Sequence, residues 1–227
     1  MKVKGLLLSM ALLLGAGSAW ADDNVSVVRP LTIKAGQTQK VAVALENAKA
    51  YTAFQMDIKL PTGLTLSNPK SLRTSDATFH NITAGEVEGV TRVVALSYKA
   101  ESDGSVLAGN GNLNFIDDNS PIILFFDITA ADDYVDDGNI EVKNVKFVSA
   151  DGTTQTMADA SSASGFILGD VDGNKKVDTN DAINVIYHRL GKTPANFQIK
   201  AANVNFDSKI DTNDAIEIIN IRLGKKF

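Results

Sequence analysis

The chain has 227 residues with 22 basic and 27 acidic side chains, a net charge of −5, two histidines and no cysteine. The acidic balance and the lack of any Lys/Arg cluster argue against a nucleic-acid partner, because such binders must neutralise phosphates. Without cysteine no disulfide can staple the fold, so a small unit within it needs another source of stability.

The chain opens MKVKGLLLSMALLLGAGSAWADD. Two lysines, an apolar run of roughly 13 residues and an Ala-Trp-Ala ending predict a signal peptide over residues 1–21, cleaved after Ala21. The run is well short of the ~20 residues that span a bilayer, so no membrane span is expected. The protein is expected to be secreted, whether outside the cell, on its surface or in a periplasm, with 20 basic and 27 acidic side chains left and a charge of −7.

From Val25 to about Ala150 apolar residues alternate with polar ones, the period of a strand with one buried face. Phe54, Met56, Ile58 and Leu60 show it most plainly; Val41, Val43, Leu45 and Val94, Leu96, Tyr98 repeat it. In the run Ile122, Leu124, Phe126, Ile128 the intervening Ile123 and Phe125 are apolar too, which predicts a central strand covered on both faces. The alternation Ile140, Val142 resumes one residue late at Val145, Phe147 and predicts a β-bulge near Asn144. With turn signals between the runs, the expected fold of residues 22–152 is an antiparallel β-sandwich.

Residues 153–166 are small and polar and read as a linker or crossover. Beyond them, over 167–227, the apolar period changes. Ile183, Ile186, Leu190 and, 33 residues on, Ile216, Ile219, Leu223 fall at helical spacings and predict one buried helix face each. Gly191 and Gly224 follow where a helix end favours a left-handed residue.

Ahead of each helix lies a twelve-residue loop, DVDGNKKVDTND from Asp170 and NVNFDSKIDTND from Asn203. Oxygen-bearing side chains occupy positions one, three, five, nine and twelve: Asp170, Asp172, Asn174, Asp178, Asp181 and Asn203, Asn205, Asp207, Asp211, Asp214. With the backbone carbonyls of Lys176 and Lys209 at position seven, this is the ligand spacing of an EF-hand loop and predicts two Ca²⁺ ions. A hard cation needs many oxygens, and a set free of Cys and His argues against zinc or copper. Lys175 and Ser208 stand at position six where the pattern wants glycine, so strain is expected there.

Loop followed by helix, twice, with no helix before either loop, resembles a type I dockerin, and GDVDGNKKVDTNDAINVIYHRLG carries the resemblance. It implies a calcium-folded module that docks onto a cohesin, in assemblies that degrade polysaccharides. Carried over from that family, the partner-facing residues are Thr179, Asn180, Thr212 and Asn213, with Arg189 and Arg222 at the helix ends. The order KAGQTQKVAVALENAKAYTAFQMDIKLPTGLTL, ALSYKAESDG, PIILFFDITA and EVKNVKFVSADG resembles a cohesin domain, which implies a jelly-roll-like sandwich. The expected fold class is thus a mostly β N-terminal sandwich plus a small α C-terminal domain of two calcium loop-helix repeats. Its expected partner is a cohesin- or dockerin-bearing protein, engaged within or between chains.

The cohesin fold is shared with some cellulose-binding modules, so a carbohydrate-binding sandwich with polysaccharide as partner is the alternative. Trp20 leaves with the signal peptide, and Tyr51 or Tyr134 would have to line any sugar groove. No enzyme is expected. His80 and His188 read as surface residues, and Asp132, Asp133, Asp136 and Asp137 as solvated loop charges rather than a catalytic pair.

Overall fold

The computed structural model describes residues 23–46, 51–71, 78–100, 106–108, 121–149, 151–207 and 209–225, with the backbone alone at 78–80, 97–100 and 106–108. The predicted signal peptide and the side chain of Tyr98 lie outside this set. Two sheets face each other. The first, sheet A, contains β1 (Asn24–Arg29), β2 (Thr38–Glu46), β8 (Ile122–Ala130), β4 (Leu64–Lys70) and the short β12 (Phe166–Ile167) in the order β12-β1-β2-β8-β4. The second, sheet B, follows the order β10-β9-β3-β6-β5 with β5 (Thr78–Val87), β3 (Ala53–Lys59), β6 (Val90–Ala100), β9 (Glu141–Val148) and β10 (Thr154–Thr156). Two further short strands, β7 (Val106–Ala108) and β11 (Ala160–Ser161), pair with β6 and β9. All pairings are antiparallel except β1 with β12.

The inner faces supply the core that alternation predicts. Phe54, Met56 and Ile58 of β3, Val41, Val43 and Leu45 of β2, and Leu124, Phe126 and Ile128 of β8 form one buried cluster with Val142, Val145 and Phe147 of β9. Asn144, at φ +51°, is the extra residue of the expected bulge: β3 pairs Gln55 with Lys146 but Asp57 with Lys143. The left-handed backbone it needs is one that asparagine tolerates. Asn144 Nδ2 also donates to Asp57 Oδ2 (2.8 Å), beside the two bonds from Arg92 to the same carboxylate (2.7 and 2.8 Å).

Four expectations are corrected by the fold. In β6 the inward side chains are Val93 and Ala95, while Val94 is half-buried and Leu96 exposed; four consecutive apolar residues give no period to choose between the faces. In β8 a bulge shifts the pairing from Val43 with Leu124 to Ala44 with Ile122, so Ile123 joins the inner core and Ile122 faces outward. Tyr51 is fully buried against Phe147 and so lines no sugar groove, while Tyr134 is partly buried and packs on the core. Asp136 is likewise no solvated charge. It pairs with Arg29 and accepts from the Ile33 N–H (2.8 Å), tying the 132–138 turn to β1.

The stretch 153–166 crosses from sheet B to sheet A through β10, β11 and β12, with a 3-10 turn at Ser162–Ser164. Gly165 lies so close to β1 that a Cβ would come within 2.2 Å of the Val27 carbonyl oxygen, which explains the small residues here. Three helices follow: α1 (Thr179–Arg189), the one-turn α2 (Ile199–Ala202) and α3 (Thr212–Arg222). The short α2 and the two loops pack on the outer face of sheet A, and α1 and α3 pack on each other. A second apolar cluster joins Val28, Ala42, Ala44 and Ile122 of the sheet to Val171, Ala201, Ala202, Val204 and Phe206 of the C-terminal unit.

Candidate metal loops and docking face

Each loop is organised around its last aspartate. Asp181 is fully buried and accepts from the Val171 (2.9 Å), Asp172 (3.3 Å) and Asp178 (2.8 Å) N–H groups. Asp214 repeats the set with Val204 (2.8 Å), Asn205 (3.2 Å) and Asp211 (2.8 Å). The repeated DTND therefore has a local reason. Asp178 and Asp211 are N-caps and Asp181 and Asp214 return the bond to the cap backbone, a capping box at the start of both helices.

The first loop brings Asp170, Asp172 and Asp181 together, with one carboxylate oxygen of each within 4.8 Å of the others. Asn174 joins them through its N–H bonds to Asp170 Oδ1 (3.0 Å) and Asp172 Oδ1 (3.1 Å). Asp178 stays outside this group, at its cap, where it accepts from the Asn180 N–H (2.7 Å). In the second loop amides replace two of the acids. Asn203 donates to the Asp207 carbonyl (2.7 Å) and Asn205 to Asp207 Oδ2 (2.9 Å), while Asp211 caps α3. Lys176 and Lys209 are exposed, their N–H groups held by Asn174 Oδ1 (2.9 Å) and Asp207 Oδ1 (2.8 Å).

Lys175 does adopt a left-handed backbone, at φ +65°, and Gly173 shares it at +74°. Ser208 lies outside the described residues. Burial pushes the carboxyls of Asp170 and Asp181 above the ordinary range and that of Asp214 up to about 6. Buried acids with converging oxygens are unfavourable as neighbouring anions and favourable around a cation. The donor set is oxygen only, which suits a hard cation such as Ca²⁺ at the cluster of Asp170, Asp172 and Asp181.

The helices do not bury the predicted stripes. Ala182 and Val185 of α1 and Ala215 and Ile218 of α3 face inward, with Ile186 and Ile219 half-buried behind them. Ile183 (45% exposed), Leu190 (63%), Ile216 (54%) and Leu223 (62%) face outward, with Tyr187 (47%) beside them. The two helices run antiparallel, because Arg189 at the end of α1 donates to Thr212 at the start of α3 (3.5 Å) and Arg222 donates to Thr179. Thr179, Asn180, Thr212 and Asn213 are exposed at the two corners of this face. Sequence reasoning missed the apolar part of the face; the surplus of large apolar residues over one stripe per helix was the signal. His188 is held against Phe197, rings stacked at 4.5 Å, with Nδ1 2.9 Å from the Thr193 hydroxyl. The side chain of His80 lies outside the described residues.

Residues 168–221 match the dockerin type I domain. No curated protein matches the chain. Among solved structures the chain is similar to a cohesin module of a family 33 glycoside hydrolase from Clostridium perfringens, at 15% identity and a TM-score of 0.46, over 64% of this chain and 96% of that one. It is also similar to a non-cellulosomal cohesin of the archaeon Archaeoglobus fulgidus (12% identity, TM-score 0.38, 64% and 91% covered). A type II cohesin domain from the cellulosome of Acetivibrio cellulolyticus is a third (8% identity, TM-score 0.37, 61% and 94% covered).

Proposed function

We propose that this chain, with a dockerin type I domain over 168–221, is an exported, non-catalytic adaptor that docks onto a cohesin-bearing protein in a polysaccharide-degrading assembly. The observation that carries the reading is the duplicated unit itself: two oxygen-rich loops ahead of two helices whose outward apolar side chains are uncovered. Asp170, Asp172, Asn174, Asp178, Asp181 and the Lys176 carbonyl would hold one Ca²⁺. Asn203, Asn205, Asp207, Asp211, Asp214 and the Lys209 carbonyl would hold the other. Among the described residues no helix is long and apolar enough to cross a membrane.

The partner surface that suits α1 and α3 is apolar at its centre, against Ile183, Tyr187 and Ile216, and acidic where it meets Arg189 and Arg222. Calorimetric titration of the mature chain against a cohesin module tests this. Binding should appear with calcium and vanish with chelator; binding that survives chelation overturns the reading. Because the corners of the face are near copies, replacing Thr179 and Asn180 together should leave affinity almost intact, and replacing Thr212 and Asn213 as well should abolish it. A large loss from the first pair alone would rule out two equivalent docking orientations.

The raised carboxyls give a pH dependence with a definite sign. A folded value near 6 for Asp214, above its unfolded value, stabilises the metal-free fold below about pH 4 and loses that stabilisation as pH rises through about 6. Asp170 and Asp181 act in the same direction. In chelator the C-terminal unit should therefore unfold at lower urea at pH 7 than at pH 5. With calcium the order should reverse, because the ion competes with protons for the same oxygens. Urea midpoints by circular dichroism at both pH values, with and without the ion, check this.

A further inference from the structure

We propose that calcium loading of the C-terminal loops is coupled to the outer face of sheet A through an intrachain interface, and that this interface leaves the α1/α3 face free for a partner. The inference rests on the calcium reading above and goes beyond it, because the coupled surface belongs to the sandwich.

The loops that would hold the ions are the same pieces that cover the sheet. Val171 and Val204, at position two of each loop, give their N–H groups to Asp181 and Asp214 and put their side chains into the cluster shared with Val28, Ala42, Ala44 and Ile122. Asp170 and Asn203 directly precede them, so closing a loop around a cation fixes the backbone that aims these valines. The Leu168 N–H donates to the Arg29 carbonyl of β1 (2.8 Å), and Lys200 on α2 pairs with Glu46 of β2 (2.8 Å).

Phe206 is the sharpest sign that the contact is built in. It occupies position four of the second loop at φ +58°, where the first loop has Gly173 at φ +74°. A bulky residue in left-handed backbone is strained, and glycine makes the same turn without strain. The ring is buried and stacks on Phe125 of β8, centroids 5.1 Å apart and planes 17° from parallel, whereas Gly173 is exposed. The second loop thus keeps a strained aromatic where it meets the sandwich. The residues used here are different from Thr179, Asn180, Ile183, Tyr187, Thr212 and Asn213 on the helix face, so packing on the chain's own sandwich and docking onto a partner do not compete.

Coupling between two sites is reciprocal. If calcium stabilises the interface, an intact interface must tighten calcium. The test is hydrogen exchange by mass spectrometry on the mature chain, with calcium and with chelator, together with calcium titrations of Phe125→Ala and Phe206→Gly. Chelation should deprotect residues 168–181 and 203–214 and, with them, β1, β2 and β8, while β5 and β6 stay as they were. Phe125→Ala contributes no ligand yet should weaken calcium binding about 10-fold, within the usual range of coupling. Phe206→Gly keeps the turn that Gly173 shows to be workable, and should likewise remove the calcium response of β8; it keeps the test open should Phe125→Ala fail to fold. Loops that respond to calcium while β1, β2 and β8 do not, with unchanged affinity in both variants, would overturn the coupling and leave the calcium reading standing. Loops that ignore calcium would overturn both.

Discussion

The Asp214→Ala chain is expected to lose α3 and the second loop at neutral pH, even with calcium in excess. Asp214 has no solvent exposure and satisfies three backbone donors, those of Val204, Asn205 and Asp211. Removing the carboxylate strands them, at about 1–3 kcal/mol each. A unit of some 60 residues without disulfides has only on the order of 5 kcal/mol to lose, so the whole of its stability is at stake. On the proposed calcium reading the same substitution also takes a ligand from the second loop. Asp181→Ala repeats the loss in the first loop, but the two variants should differ in the calcium site that is left. The first loop carries four carboxylates and the second three, so the site surviving in Asp214→Ala should bind the ion more tightly than the site surviving in Asp181→Ala. Far-UV circular dichroism and calcium titration of both variants provide the readout; retained helix in Asp214→Ala, or equal residual affinities, would contradict the account.

Ending the chain at Ile167 should give a sandwich that associates. Val28, Ala42, Ala44 and Ile122 are completely covered by the C-terminal unit, and Phe125 and Phe166 are partly covered beside them. Without that cover sheet A would present a contiguous apolar face on the order of a few hundred Å², the size at which soluble monomers become sticky. Phe125→Lys in the truncated chain places a charge on this face and should restore a monomer. Light scattering on the two truncated chains and the full chain decides the matter. A truncated chain that is monomeric without the lysine would mean that the C-terminal unit covers a surface the sandwich tolerates in water.

The loops were legible because everything they need is local. All the oxygen donors fall within twelve consecutive residues, and the same block caps the helix that follows, so spacing alone places Asp170, Asp172 and Asp181 together. The roles of the twelve were less legible. Asp178 and Asp211 fit both the ninth ligand position and the helix cap, and the structure shows them bonded as caps. The strands with one plain alternation, such as Phe54 to Ile58, and the bulge at Asn144 were also carried by local pattern. The pattern failed where both faces were apolar. Val93 to Leu96, Ile122 with Ile123, and the stripes of α1 and α3 each offer two apolar faces, and nothing within the segment chooses between them.

The sequence by itself determined the local chemistry of this protein: two oxygen-lined loops, two capped helices and a run of strands with a common buried face. Only the tertiary structure decided which apolar surface is used for what. Ala42 and Ala44 look like the small outward residues of an exposed strand and are buried, because the C-terminal unit lies on them. Ile183, Leu190, Ile216 and Leu223 have a core helix's spacing and are exposed, because Ala182, Val185, Ala215 and Ile218 took the buried positions within the C-terminal unit. Burial is a property of what lies opposite a residue, and residues far apart in the chain supply it.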